Sequence, residues 1–204
     1  MTHPLRCRCG TLQGELLRPD KTLRAVCYCI DCRTYAHALG DAARTLDENG
    51  GTEVVATQAR YVRFTAGAGS LACVSLTGRG LLRWYTSCCR TPVANTPRDM
   101  RLPYAGVMHT CLAGTASERA RAFGPVRLRV NTHHAGGAVP PPRFWEWAAL
   151  LRTGPGLLWS RLSGGWRETP FFDTASERPR AEPRVLDAAQ LQSARNAAIG
   201  GARE

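Results

Sequence analysis

The sequence contains almost no lysine, and its positive charge is not concentrated anywhere. Of the 27 basic residues, one is a lysine, Lys21, and 26 are arginines. The arginines are scattered through a chain of net charge +11, with no block of five or six and no interleaved aromatic residues of the kind that stack on bases. The pattern argues against a nucleic-acid partner and leaves a positively charged site for a small anion as an alternative.

Long apolar runs are also absent. No uninterrupted stretch approaches the roughly 18 to 20 residues that a membrane span requires. The first nine residues include His3, Arg6 and Arg8 and contain no apolar region of the kind that a secretion signal needs. We therefore expect neither a transmembrane protein nor a secreted one, and predict a cytoplasmic location.

Short runs of alternating or β-branched residues, separated by glycines, predict a mainly β fold of short antiparallel strands. One short helix is expected between Asp31 and the glycine at position 40. The predicted strands lie at 12–17, 22–26, 52–56, 61–64, 71–76, 81–85, 105–109 and 126–130.

Three consecutive prolines at 140–142 predict a boundary, because proline can neither donate to a β-ladder nor continue a helix. We predict a β domain at 1–138, a tryptophan-rich helical extension at 139–175, and a charged, flexible tail at 176–204 with a helix candidate at 185–199. The aromatic segment 144–172, which begins at Phe144 and ends at Phe172, has three interpretations: a helical hairpin packed on the β core, a peripheral membrane or protein contact, or a disordered stretch.

Nine cysteines, an odd number in tight clusters, form a poor disulfide framework and are better explained as metal ligands in a reducing compartment. Cys7 and Cys9 need a turn to face one ion, and Gly10 supplies the backbone freedom for it. Cys88 and Cys89 are adjacent, so an irregular turn is needed there too. We predict that one of the two, Cys89, completes a closed, structural metal site with Cys7 and Cys9.

A denser group comprises Cys27, Cys29 and Cys32. Three thiolates from one loop can occupy three corners of a tetrahedron and leave the fourth for water or substrate, as in an open catalytic zinc site. The alternative is a set of buried thiols. Cys73 and Cys111 lie alone in apolar surroundings, which favours core packing for both.

Taken together, C-x-C-G at 7–10, C-x-C-x-x-C-R at 27–33 and C-x-T-P at 89–92 resemble the glutathione-dependent formaldehyde-activating enzyme and centromere protein V family, over about residues 5–130. The resemblance implies a zinc-binding β-tent fold. It implies a structural zinc on Cys7, Cys9 and the late cysteine pair, and a more labile, catalytic zinc on the central three cysteines. The activity that it implies joins glutathione to formaldehyde, giving S-hydroxymethylglutathione.

This chain departs from the family pattern at three positions. The late family motif is C-x-x-C-G, but Thr86 and Arg90 stand at its first cysteine and its glycine, so the fourth ligand is either Cys88 in a shifted geometry or another group. His37 replaces a family glycine. A histidine there is a fourth ligand, a general base or a structural side chain, and it narrows the pocket, which leaves room for a substrate other than glutathione.

The sequence thus predicts a zinc-dependent enzyme of the carbon–sulfur lyase type that adds a small thiol to an aldehyde. Arg33, next to the central cysteines, is the residue expected to pair with a substrate carboxylate. The alternative is a non-catalytic zinc module that acts through the aromatic segment or the basic surface.

Overall fold

A computed structural model describes residues 1–200 as a mainly β protein with helices packed on its sheets, which confirms the predicted fold class. The strands are β1 Thr2–Arg6, β2 Gln13–Leu17, β3 Leu23–Cys27, β4 Thr52–Gln58, β5 Val62–Ala66, β6 Leu71–Ser75, β7 Leu82–Thr86, β8 Pro92–Thr96, β9 Tyr104–Met108, β10 Leu128–Val130, β11 Phe172–Asp173, β12 Arg178–Pro179 and β13 Pro183–Val185. The α-helices are α1 Ile30–Ala38, α2 Ala42–Thr45, α3 Ala116–Phe123, α4 Gly154–Leu162 and α5 Ala188–Gly200. Short 3₁₀ helices lie at Pro19–Lys21, Ala59–Tyr61, Ala68–Ser70, His109–Cys111, Thr132–His134, Phe144–Arg152 and Gly165–Arg167.

The largest sheet has eight strands in the order β10-β3-β4-β9-β8-β7-β6-β13. Its inner strands are antiparallel, whereas β10 runs parallel to β3 and β13 runs parallel to β6 at the two edges. A second sheet pairs β1, β2 and β5 antiparallel, and β11 and β12 form a two-stranded ribbon.

The eight-stranded sheet is apolar on both faces, because successive side chains of a strand point to opposite sides. On one face Val55, Trp84 and Val107 pack with the three-stranded sheet. Phe171 and Phe172, from far along the chain, insert into the same core, and the ring centroid of Phe171 lies 5.3 Å from that of Trp84. Residues beyond the predicted boundary at 138 are therefore part of the main core.

The opposite face packs against helices. Tyr35 and Leu39 of α1 meet Val54, Val74 and other side chains of the sheet in a second core. The Tyr35 hydroxyl donates to the Trp84 carbonyl across 3.0 Å and fixes α1 on the sheet. Helix α1 is covered in turn by α5, so the segment predicted as a flexible tail carries regular structure.

Most of the predicted strands are present, with bounds that shift by one or two residues. Strands β1, β8, β11, β12 and β13 and helices α2 and α3 were not predicted. The limits of the three predicted segments at 138 and 175 stay predictions. Within residues 1–200 we find no helix that combines the length and the apolar character needed to cross a bilayer.

Candidate metal centres

Four cysteines from two distant turns converge at one end of the molecule. Cys7 and Cys9 follow β1, and Cys88 and Cys89 lie in the turn between β7 and β8. The four sulfurs all lie within 4.8 Å of one another. Neighbouring Sγ atoms are separated by 3.5 Å from Cys7 to Cys9, 3.3 Å from Cys9 to Cys88, and 3.8 Å from Cys88 to Cys89. The cluster can hold a metal ion.

Both turns depend on a left-handed residue directly after a cysteine. Gly10 has φ 82° and Arg90 has φ 57°. In one turn the backbone N–H of Leu12 donates to the Cys7 sulfur across 3.2 Å; in the other, the N–H of Thr91 donates to the Thr86 hydroxyl across 3.2 Å. The turns that sequence analysis required at Cys9 and Cys89 are thus present.

The second cluster comprises Cys27, Cys29 and Cys32, whose sulfurs also lie within 4.8 Å of one another. Cys27 ends β3, and Cys29 is the N-cap of α1, whose sulfur accepts the Cys32 N–H at 3.4 Å. The first turn of the helix therefore brings the three thiols to one side and points its N-terminal N–H groups towards them. Cys32 is buried, while the other two are half-buried.

One buried cation faces this cluster. Arg83, on β7, is 4% exposed, and its Nη1 atom lies 3.8 Å from the Cys32 sulfur. The guanidinium also stacks on the Tyr35 ring, 5.2 Å from its centroid. Sequence analysis missed Arg83, although its alternation with the core residues Leu82 and Trp84 already placed it on the other face of the sheet.

In each cluster the thiols share negative charge unequally, because neighbouring thiolates repel one another. Hydrogen bonds with Cys27 and Cys29, together with the positive charge of Arg83, hold the pKa of Cys32 well below its ordinary value. Hydrogen bonds with Cys27 and Cys32, together with burial, raise the pKa of Cys29. In the four-cysteine cluster, burial raises the pKa of Cys7 to about 11. Burial also acts to raise the pKa of Cys89, but hydrogen bonds with Thr86 and Thr91 outweigh it and lower the pKa of Cys89 to about 5. A bound divalent cation would remove this competition by stabilising every thiolate of its cluster.

The three-cysteine cluster lies at the wall of a cavity of about 580 Å³ between the large sheet and the segment 150–157. Aliphatic side chains line most of it. The polar lining is provided by the three cysteines, Asp31, Thr77, Arg83, Asn95, Tyr104 and Thr153. All three cysteines of this cluster line that cavity, whereas from the four-cysteine cluster Cys7 lines a separate cavity of about 890 Å³ together with Arg8, Arg44 and His109.

Two residues predicted for the catalytic site lie elsewhere. The Arg33 guanidinium is buried on the far side of α1, where it donates to the carbonyl oxygens of His134 and Ala198. His37 lines a shallow depression with Arg90 and residues of α5, and burial, followed by the nearby Arg33 charge, lowers its pKa. Neither side chain lines the cavity at Cys32.

Cys73 and Cys111 are fully buried in the core shared by the two sheets, as the sequence predicted. Burial raises the pKa of each thiol to about 12.

Comparison with known proteins places the chain in a family. Residues 1–150 match the model of the "Family of unknown function (DUF6151)". The chain belongs to the DUF6151 family. No curated protein and no solved structure matches it.

The DUF6151 match spans both cysteine clusters, Arg83 and the 3₁₀ helix as far as Leu150. Helix α4, β13 and α5 lie after the matched region. The cavity is thus built mainly from the DUF6151 region, and it is completed by Thr153, Gly154 and Leu157 from the segment that follows.

Proposed function

We propose that this protein is a zinc-dependent enzyme of the carbon–sulfur lyase type, which adds a thiol to an aldehyde at the cluster of Cys27, Cys29 and Cys32. The observation that carries the proposal is three converging thiols at the wall of a cavity large enough for a small molecule. The motif resemblance to the formaldehyde-activating family, given by the cysteine spacing, supports the same reaction class.

The chemistry of the donor atoms favours zinc over harder cations, which prefer oxygen ligands. Two sulfurs bound to one tetrahedral zinc at about 2.3 Å each lie about 3.8 Å apart. The separations between neighbouring sulfurs in the four-cysteine cluster, 3.3 to 3.8 Å, are close to that value. We assign a structural zinc to Cys7, Cys9, Cys88 and Cys89.

At the three-cysteine cluster, a bound zinc would leave one position for an incoming thiol and favour its thiolate form. In the reaction the sulfur forms a bond to the aldehyde carbon, the π electron pair of C=O moves to oxygen, and the proton lost from sulfur ends on that oxygen. No oxidant or reductant is consumed. The reverse reaction cleaves the same carbon–sulfur bond.

The protein's own groups provide the environment for this step. Arg83 places a fixed positive charge beside the sulfur cluster, where it stabilises a thiolate or the anionic oxygen that develops from the aldehyde. The N-terminus of α1 contributes to the same anion preference. The aliphatic walls keep water away, which strengthens both electrostatic effects.

The decisive experiment mixes the zinc-loaded protein with formaldehyde and either glutathione or 2-mercaptoethanol, and measures hemithioacetal formation against the uncatalysed rate. We expect acceleration with at least one thiol and its loss in Cys29→Ser. Cys73→Ala, which removes a thiol outside both clusters, should retain the activity. Absence of acceleration with every thiol would overturn the proposal.

A second candidate is a binding module that associates with a negatively charged lipid surface. Its basis is the segment 144–162, where Phe144 is 91% exposed and Trp145, Trp159 and Leu162 are 64%, 66% and 73% exposed. Four arginines and two glutamates accompany these aromatic residues between positions 143 and 168, so the charge is complementary to anionic headgroups.

Deleting residues 140–204 is a poor test, because it also removes Phe171 and Phe172, which belong to the core. The triple substitution Phe144→Ser, Trp145→Ser and Trp159→Ser changes exposed residues only. The intact protein should co-sediment with phosphatidylserine-containing vesicles. Weaker co-sedimentation of the triple variant with the same vesicles, and of the intact protein with pure phosphatidylcholine vesicles, would support the binding module. Equal sedimentation of the variant and the intact protein would exclude it.

A further inference from the structure

The cavity beside Cys32 has walls that differ from those expected for a charged peptide substrate. Its floor is made by aliphatic side chains of β3, β4 and β10, among them Leu23, Val54 and Leu128. Its roof is made by Leu150 and Leu157, from the 3₁₀ helix and α4. An elongated apolar group enclosed between floor and roof would lose most of its contact with water.

The polar groups of the cavity can recognise only a small polar head. Arg83 provides the buried positive charge next to the sulfur of Cys32. Asn95 is 6% exposed; its amide nitrogen donates to the Met108 sulfur, and its carbonyl oxygen has no hydrogen-bond partner within residues 1–200. That oxygen is shielded from solvent, so Asn95 offers no free acceptor to the cavity and Arg83 is its charged hydrogen-bond donor.

Glutathione carries two carboxylates and one ammonium group at neutral pH. Among the residues that line this cavity, Arg83 is the one basic side chain, and the carboxylate of Asp31 lies at the same wall. A second carboxylate would therefore lie against aliphatic side chains, at a large desolvation cost. The walls favour a reactant with one polar end and one apolar end.

Building on the proposed function, we infer that the three-cysteine site takes an apolar aldehyde, whose alkyl or aryl chain lies between the sheet and the roof formed by Leu150 and Leu157. The carbonyl group then lies at the Cys32 end, beside Arg83. A small thiol adds there: a bond forms between sulfur and the carbonyl carbon, the C=O π bond breaks, and the thiol proton ends on the oxygen.

The inference is tested by binding, independently of catalysis. The probe is 1-octanol, which has the alkyl chain and the oxygen of an aldehyde but no reactive carbonyl group. Two matched pairs of variants separate the cavity from the exposed apolar surface: Leu150→Asp and Leu157→Asp change the roof, whereas Leu151→Asp and Leu158→Asp change exposed neighbours that do not line the cavity. Circular dichroism checks that each variant is folded.

By isothermal titration calorimetry we expect the two roof variants to weaken 1-octanol binding about tenfold or more, because each places a charge in an apolar wall. The two neighbouring variants should bind it within about twofold of the intact protein. Equal affinity across all four variants, or no binding to the intact protein, would overturn the inference.

Kinetics then distinguishes this inference from the proposed function. With 2-mercaptoethanol as the thiol, the acceleration over the uncatalysed rate should be larger for octanal than for formaldehyde, and the roof variants should abolish that difference. Acceleration that is equal for the two aldehydes and unaffected in the roof variants would contradict the apolar substrate while leaving the lyase activity intact. Selective 1-octanol binding without acceleration of any aldehyde would overturn the lyase activity and retain the apolar ligand site.

Discussion

Thr86 occupies, in the turn between β7 and β8, the position that Cys7 occupies in the turn after β1. The Leu12 N–H donates to the Cys7 sulfur, and the Thr91 N–H donates to the Thr86 hydroxyl. In both turns the donor lies five residues after the acceptor. The left-handed residues Arg90 and Gly10 follow at similar places in the two turns. Cys88 thus supplies the fourth sulfur from a different point of its turn.

This relationship predicts that the fourth sulfur can be moved. Cys88→Ala should reduce the bound metal from two ions per chain to one, because Cys9, one of the three ligands that it leaves, is exposed to solvent, whereas the three ligands of the other cluster are buried or half-buried. Adding Thr86→Cys should restore the second ion, since residue 86 already lies 3.2 Å from the Cys89 sulfur. Elemental analysis of the purified proteins measures both effects.

The matched control is Ser87→Cys with Cys88→Ala, which places the new thiol one residue further along the turn. This variant should stay at one metal ion per chain. If it recovers the second ion as well as Thr86→Cys does, the position of residue 86 has no special role.

The two clusters should contribute differently to stability. Cys9 and Cys88 are 79 residues apart in sequence, whereas the three central cysteines lie within six residues. Cross-linking a longer loop removes more conformational entropy from the unfolded chain. For these two loop lengths the free-energy cost of loop closure differs by about 2 kcal/mol. Cys9→Ser should therefore lower the free energy of unfolding more than Cys29→Ser does, although each removes one metal ion.

Urea unfolding monitored by circular dichroism measures this difference, with metal content determined on the same samples. Equal losses of stability in the two variants would mean that the four-cysteine cluster does not act as a long-range cross-link.

Arg83 and Arg33, each 4% exposed, should have separable roles. Arg83→Met should reduce turnover of the proposed reaction about tenfold or more, because the positive charge beside the sulfur cluster is lost. Arg33→Met should instead reduce the free energy of unfolding by about 1–3 kcal/mol, because it leaves the carbonyl groups of His134 and Ala198 without their donor. The KM of the folded Arg33 variant should be unchanged.

Steady-state kinetics and urea unfolding on both variants provide the check. A fall in turnover for Arg33→Met at a temperature where it is fully folded would return this residue to the catalytic site that its sequence position first indicated.

Stability should decrease in alkaline solution. Burial raises the pKa of Cys73, Cys111 and Tyr104 to about 12, from 9.0 for a free thiol and 10.0 for a free tyrosine. As the pH rises above 9, the unfolded chain loses these protons before the folded chain does, so it binds fewer protons and the free energy of unfolding falls. The stability that these three protonated groups contribute to the folded state is fully present below pH 9 and is lost progressively towards pH 12.

Urea midpoints measured from pH 8 to about pH 11 on the intact protein should show this decline. In Cys111→Val the decline should be shallower, because one of the three groups is gone. An unchanged slope in that variant would show that Cys111 is not protected from ionisation.

The sequence predicted the strand content well, since alternating runs such as 81–85 fix which side chains share a face. Strand β1 contains Pro4 and only one large aliphatic residue, and β8 begins with Pro92 and carries the polar Asn95, so neither has a strong strand pattern. The parallel pairing of β13 with β6 joins segments about a hundred residues apart and has no local signal.

At the site, spacing alone grouped the cysteines into two clusters, and the geometry of the sulfurs agrees with that grouping. Sequence spacing did not identify the arginine at the site. One residue along a helix turns the side chain by about 100°, so Arg33 points away from the sulfur that Cys32 presents. Arg83 lies 51 residues from Cys32 in sequence, and only the pairing of the sheet brings it there.

The separation of the two thiol groups along the chain also sets an order for events during synthesis. The central three cysteines leave the ribosome almost together, so their ligand set is complete while most of the polypeptide is still being made. The other set lacks half of its sulfurs until some sixty further residues have been translated. For the four-cysteine cluster to bind the proposed zinc, Cys7 and Cys9 must stay reduced and free of other metal ions until Cys88 and Cys89 have been made.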